Sequence, residues 1–175
     1  GVTSNGRNQI NGWTFQYLQG RIVSPRVFAQ LYSTWNDAGD TYQINARTTN
    51  YYTLRARGYS EEIAARYSKT GAKAGEIGQG SLPVAFPGFI DKSHRINGEV
   101  QYNNSFAGFD VITGLSYQRD VAYSRQTYLD DADGNIILNQ YGAVAQVERN
   151  LTDKLRAVVA ARVDNHDNYG TQFSP

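Results

Sequence analysis

Three stretches of two-residue alternation, each folding back on itself across a short turn, constrain this chain more than any other feature. The first joins "WTFQYLQ" to "RVFAQLYSTW". The second is "HRINGEVQYNNSFAGFDVITGLSYQRD" and the third "QYGAVAQVERNLTDKLRAVVAARVD". A period of two places successive side chains on opposite faces of a pleated strand, so each stretch predicts an antiparallel hairpin with one apolar face. Composition agrees. The 13 Tyr, 7 Phe, 2 Trp and 17 Gly suit half-buried pleated surfaces and turns.

Face by face, Trp13, Phe15 and Tyr17 point one way, and Val27, Ala29, Leu31, Ser33 and Trp35 share a face on the next strand. Pairing about Ser24 sets Trp13 opposite Trp35. In the second hairpin Ile96, Gly98, Val100 and Tyr102 meet Phe109, Val111, Thr113, Leu115 and Tyr117. A turn at Asn104-Ser105 places Val100 against Phe109 and Gly98 against Val111. In the third, Tyr141, Ala143, Ala145 and Val147 share the apolar face with Ala157, Val159, Ala161 and Val163. The opposite faces carry Arg95, Glu99, Asp110, Glu148, Arg156 and Arg162.

Two long excursions separate the hairpins, at about residues 37–93 and 120–138. The first holds one recognisable helix, "SEEIAARYSK", with Ser60 as N-cap, Glu61 and Glu62 in the first turn, Lys69 near the end and Gly71 as the stop. The rest reads as loop, apart from a short extension at "TYQINA". Short connections thus gather at one end of the strands and long ones at the other, the asymmetry of a transmembrane β-barrel. On that reading Trp13, Trp35, Tyr117 and Tyr141 form an aromatic girdle at the long-loop end. The six charged residues of the opposite faces then line the lumen. A β-sandwich explains the same alternation, with the aromatics as core and the charged face in solvent.

Charge and cysteine narrow the classes. A formal charge of +1, from 17 basic and 16 acidic residues, gives no global field that would attract nucleic acid. The absence of Cys excludes disulfides and thiolate metal sites. No run of 18 apolar residues offers a membrane-spanning helix. Gly1 to Ser4 shows no signal peptide, which argues for a cytosolic chain only if the chain is complete.

Candidate ligand contacts fall on the excursions. Tyr51, Tyr52, Arg55, Arg57, Tyr59, Arg66 and Tyr67 alternate phenols and guanidiniums, suited to an anionic or sugar-like ligand. Phe86 and Phe89, among prolines, form a loop tip that either closes on ligand or packs the loop on itself. The second excursion adds Tyr123 and Tyr128. "DDADGN" at 130–135 superficially matches a calcium loop but lacks the later bidentate Glu, and Asp-Gly is a common turn. His166 with Asp164 and Asp167 converges poorly on a strand, and His94 begins one. Neither His has a nucleophile or base at a recognisable spacing, so no enzyme, cofactor or metal is expected. "NLT" at 150–152 matches a glycosylation acceptor at a turn.

The closing stretch "RNLTDKLRAVVAARVDNHDNYGTQFSP" resembles TonB-dependent outer-membrane receptors, where an "L-x-D-K-L" turn leads into a "G-x-R-x-D-x-H" strand and an "FSP" segment. Here Ala161 replaces the Gly, Arg162, Asp164 and His166 continue the pattern, and Phe173-Ser174-Pro175 close it. The likeness covers residues 92–175, and residues 12–36 only in general strand character. It implies an all-β antiparallel meander, with residues 1–175 a fragment of a single transmembrane β-barrel domain in the bacterial outer membrane. The implied function is active uptake of a siderophore, vitamin, metal chelate or glycan. The implied partners are an N-terminal plug domain, the remaining barrel strands, TonB through the plug, the small nutrient ligand and outer-membrane lipid, without nucleic acid. Two rival classes stand beside it: a soluble β-sandwich ligand- or carbohydrate-binding module, and a small passive barrel or adhesin-like protein.

Overall fold

The computed structural model describes Val2, Thr3 and residues 6–175, with side chains from residue 7 onward; Gly1, Ser4 and Asn5 of the turn-rich opening lie outside the described residues. The chain forms two compact units, each assembled from separate segments. The first comprises Gly1–Thr14, Asn36–Lys92 and Tyr123–Asp133, the second Phe15–Trp35, Ser93–Ala122 and Gly134–Pro175.

The second unit is one antiparallel sheet. Its strands are β3 (Thr14–Val23), β4 (Val27–Asp37), β6 (His94–Phe106), β7 (Phe109–Ala122), β8 (Ile136–Thr152), β9 (Leu155–His166) and β10 (Gly170–Ser174). They lie in the order β10-β9-β8-β7-β6-β4-β3. The alternation in the sequence is realised row by row. Ala29, Val100, Leu115, Ala143, Val163 and Phe173 are successive cross-strand partners on one face. Val111, Val147 and Val159 form another such row. This face is left open by the described residues: Leu31 is 59% exposed, Leu115 62%, Val159 73% and Phe173 66%.

The opposite face is polar and internally paired. Arg95 donates to both carboxylate oxygens of Asp120, Arg162 donates to Asp164, and Glu148 is paired with Arg156. Asp110 accepts from the Ser105 hydroxyl, and Gln146 donates to Glu148. Glu99 stands between Gln30 and Ser116 in the ladder.

Two turns differ from the sequence reading. β6 continues past Asn104-Ser105 and turns at Ala107-Gly108, which both adopt left-handed φ values (51° and 80°). That is the geometry a two-residue hairpin turn with the strands' own twist requires. Val100 consequently pairs with Leu115, and Gly98 with Tyr117, while the faces keep their composition. β9 ends in another short turn. It turns at Asp167–Tyr169, and the "FSP" segment returns as the antiparallel strand β10.

The barrel expectation is overturned by the strand order. Among the described residues the seven-stranded sheet is open, with β10 and β3 at its edges, and the other sheet is a separate three-stranded one, β1 (Val2–Thr3), β2 (Gly6–Gln9) and β5 (Tyr42–Gln43). A strand-built membrane span needs every main-chain N–H and C=O paired by closure, and an open sheet leaves two rows unpaired. The partial-barrel fold is therefore corrected to a largely antiparallel fold of two open sheets. The outer-membrane location goes with it, as do lipid, plug, missing barrel strands and TonB as partners, and the lumen and girdle roles lose their basis. No described helix is long and apolar enough to cross a membrane. The alternation misled because it specifies pairing and facedness, and a closed wall shares both with an open sheet.

Among its described residues the first unit contains two helices, α1 (Ile44–Ala56) and α2 (Glu61–Thr70). α2 begins as the sequence predicts: the Ser60 hydroxyl accepts the Ile63 N–H at 3.3 Å, and Gly71 ends the helix at φ 67°. α1 is an addition to the sequence reading. Its N-cap, Gln43, makes no side-chain cap bond, and no acidic residue occupies its first turn. Leu54 of α1 packs with Ala64 of α2 and with Val84 to form a small core, surrounded by Tyr51, Tyr59, Tyr67, Ala72 and Ile77.

The sheet geometry makes a direct prediction at Gly142, which stands between Ser116 and Asp164 in the ladder. A Cβ there would lie 2.5 Å from Ser116 Oγ and 2.8 Å from Asp164 Oδ1. Gly142→Ala should lower unfolding stability by about 1–3 kcal/mol, read by chemical denaturation. The neighbouring exchange Ala145→Ser, at an exposed position, should leave it within about 0.5 kcal/mol.

Candidate functional site

The first unit encloses a cleft of about 670 Å³, within the range of small-molecule sites. Its floor is a short main-chain ladder. Gln43 N–H donates to Pro87 O and Phe89 N–H to Thr41 O, both at 2.8 Å, with Tyr42 and Gly88 facing each other between them. Around the rim, Asp40 N–H reaches Asn11 O at 2.9 Å, Ala38 N–H reaches Asp91 O at 2.9 Å, and Lys92 N–H reaches Tyr123 O at 3.0 Å. Irregular backbone is thereby satisfied internally, as buried polar groups require. The same bonds bring residues 37–42, 86–92 and 123–125 to one place.

Two glycines permit the close approaches. Gly71, besides ending α2, lets Val84 and Phe86 pass so near that a Cβ would stand 2.8 Å from Val84 O. Gly88 lies under the Phe86 ring, where a Cβ would fall 2.0 Å from Cζ. Phe86 is held by that glycine with 49% of its surface exposed, at the lining of the cleft. Phe89 has a different role. It is stacked between Trp13 (centroids 5.7 Å, 23°) and Tyr128 (4.8 Å, 11°), and so ties three segments together.

Asp131 organises the third segment. Its carboxylate accepts the backbone N–H groups of Ser124, Arg125 and Gln126 and the Ser124 hydroxyl. Arg125 and Gln126 both hold left-handed φ values (49° and 60°), which turns successive N–H groups toward one anion. Burial pushes the Asp131 carboxyl up, but these hydrogen bonds to its charged form outweigh burial and hold it below its ordinary value of 3.8. The calcium reading of residues 130–135 loses its chief ligand, since Asp131 already serves as an acceptor for the protein's own amides. Among the described residues no His, Cys, Asp and Glu cluster is arranged to hold a metal.

Charge in the cleft is unevenly used. Asp37 accepts the Gly39 N–H at 2.9 Å and lies 3.8 Å from Lys92 Nζ, and Asp91 accepts from the Asn36 amide. The Arg47 guanidinium lies over the Tyr42 ring at 4.7 Å. Lys69, Arg125 and Asp40 also line the cleft.

Of the sequence candidates, Phe86, Phe89 and Tyr123 line this cleft, and Tyr128 supports it through Phe89. The Tyr/Arg set falls on the helical pair instead. Tyr51, Tyr59 and Tyr67 pack on the small core, Arg55 donates to Tyr59 O, and Arg66 covers the Tyr67 ring. Tyr52 is 67% exposed and meets Tyr51 edge-on, and Arg57 caps the end of α1. In the second unit Tyr117 and Tyr141 are cross-strand partners with ring centroids 5.0 Å apart, and Trp35 pairs with His94. His166 lies against Tyr169 at 4.9 Å, while Asp167 bonds the Asn139 main chain and side chain. Sequence reasoning missed Asp40, Tyr42, Arg47, Lys69, Asp91 and Arg125. They come from separate segments with no shared period, and only the local pairing of those segments unites them.

Comparison with protein-family models, with curated proteins and with solved structures finds no match. The resemblance to TonB-dependent receptors is corrected accordingly. Its residues are strand and turn residues of ordinary antiparallel hairpins, and the sheet they build is open. Nutrient uptake by such a receptor is withdrawn with it.

Two outcomes test the geometry. Gly88→Ala should displace the Phe86 ring, seen as large chemical-shift changes at Phe86 and Tyr42 with the β6–β9 resonances unmoved. The depressed Asp131 carboxyl stabilises its turn fully above its ordinary value, and that contribution disappears as pH falls through the folded value. The protection factors of the Ser124–Gln126 amides, taken against the intrinsic exchange rate at each pH, should therefore fall on acidification below about pH 4, and Asp131→Asn should show low protection already at neutral pH.

Proposed function

We propose that the chain is a binding module without bond-making chemistry, whose first unit takes a small saccharide-like ligand in the cleft between residues 37–42, 86–92 and 123–125. The observation that carries this reading is the lining itself. A half-exposed Phe86 ring, anchored on Gly88, stands beside Tyr42, Tyr123 and a set of side chains able to donate or accept hydrogen bonds. Sugars present apolar C–H faces and dense hydroxyl edges, and a site for them combines an aromatic platform with fixed polar groups. The backbone supports the same role. The floor is a main-chain ladder and Arg125 is set by the Asp131 turn, so part of the ordering cost of binding is met in advance. Of the readings drawn from the sequence, the ligand- or carbohydrate-binding module fits this geometry best, although its expected second large sheet is not formed among the described residues.

Trp13, stacked on Phe89 and bonded through Nε1 to Asn36 Oδ1, supplies a fluorescent reporter for the test. Titration with a panel of mono- and oligosaccharides should change Trp emission saturably. Phe86→Ala should weaken the response at least about tenfold, the equivalent of about 1.4 kcal/mol. Tyr52→Ala, on the exposed side of α1, should leave it unchanged. Saturable binding that ignores Phe86→Ala would place the ligand elsewhere and defeat the proposal.

A further inference from the structure

We infer that the open apolar face of the seven-stranded sheet is the interface of a homodimer, in which a second copy of this chain lays the same face against it as the other half of a sandwich. The face is continuous. The cross-strand rows from Leu31–Gly98–Tyr117–Tyr141 to Val111–Val147–Val159 contain no Asp, Glu, Lys or Arg. Charge returns only beyond them, at Arg119 on one side and Arg149 on the other. With strands about 4.8 Å apart and successive residues of one face about 6.8 Å apart, these rows cover roughly 700 Å² of sheet in projection. The largest apolar patch of an ordinary monomer is about 300–600 Å², whereas each side of a stable dimer buries about 800 Å².

The surface of the whole chain leads to the same size. At 19.5 kDa it exposes 12076 Å². A single folded monomer of that mass exposes about 8,500 Å², and two separate globules of half the mass expose about 10,300 Å² together. Even against the larger figure, about 1,800 Å² is left over. Obligate dimers bury about 2,000–5,000 Å² in total, half from each copy, so the surplus matches one copy's share. A sheet with an apolar face is stable once a second layer covers it, and sheets pack about 10 Å apart with their side chains interdigitated. The relief of this face suits a copy of itself. Leu115 and Phe173 are exposed beside a hollow of about 470 Å³ whose lining includes Ala143, Ala145 and Ala161. In a two-fold contact each copy offers its projections to the other's hollows. Charge does not oppose the pairing, because the face is neutral between its two arginine rows and the chain carries only +1.

Sedimentation equilibrium of the whole chain, without detergent or lipid, is the test. The expected mass at about 10 µM and above is twice that of one chain, and the denaturation midpoint should rise with protein concentration, as mass action requires of a dimer. Val158 and Val159 are exposed neighbours on β9 that face opposite ways, Val158 across from Glu148 and Val159 across from Val147. Val159→Lys should weaken dimerisation at least about tenfold, and Val158→Lys should leave it unchanged. Should Val159→Lys not fold, relaxation of wild-type methyl groups by a soluble paramagnetic probe decides the face: Leu115 and Val159 shielded and Val158 open supports it, and the reverse overturns it. A wild-type chain that stays monomeric at about 100 µM overturns the homodimer, and gathering of that monomer on neutral phosphatidylcholine vesicles would make lipid the occupant. Equal loss of association in both variants overturns the choice of face. Polymers longer than two copies overturn it in favour of strand addition at the sheet edges β3 and β10.

Discussion

Main-chain pairing across β6, β7, β8 and β9 is the constraint on which the second unit rests. It runs without interruption from His94–Val121 to Phe106–Phe109, from Asp110–Glu148 to Ala122–Ile136, and from Gln140–His166 toward the Asp153-Lys154 turn, where a single irregularity occurs between Asn150 and Thr152. With register fixed, the two-residue period assigns every side chain to a face. A slip of one residue would move Leu115, Val147 and Val159 to the charged side. Arg95–Asp120, which joins cross-strand partners, then acts as a check on register more than as a source of stability, because a pair as exposed as this contributes little.

The first unit follows a different logic. Its apolar core is small, Leu54, Ala64 and Val84 with tyrosines around them. Much of its order comes from hydrogen bonds that satisfy irregular backbone: the Thr41–Phe89 and Gln43–Pro87 bonds, the Thr127 hydroxyl bridging Ile90 N–H and O, and the amides gathered on Asp131. Such a network is costly to break because each lost partner strands a buried polar group. It also sets loop residues with the precision that recognition needs, and the cleft is a by-product of satisfying the backbone.

The legibility of the sequence divides along the same line. Strands with one apolar face announce themselves, and so does α2, through Ser60, Glu61, Glu62 and Gly71. α1 does not, because "INARTTNYYTLRA" has β-branched and aromatic residues, no cap and no strong amphipathic stripe. The hairpin at Ala107-Gly108 was concealed by Asn104-Ser105, a better turn by composition that the ladder absorbs as strand. Closure could not be read at all, since an alternating pattern says which face is apolar and nothing about what covers it. The cleft was legible only at Phe86, Phe89 and Tyr123. Its charged residues come from segments spread between residues 37 and 125, and nothing in their spacing predicts that a short ladder and one aspartate would gather them.

The most direct test of the account is amide hydrogen exchange of the whole chain with and without a saturating saccharide. The account predicts slow exchange through β6–β9 in both conditions, with new protection on binding confined to residues 41–43, 86–92 and 123–126. Protection appearing instead on the strands of the seven-stranded sheet, with those loop amides unchanged, would contradict it.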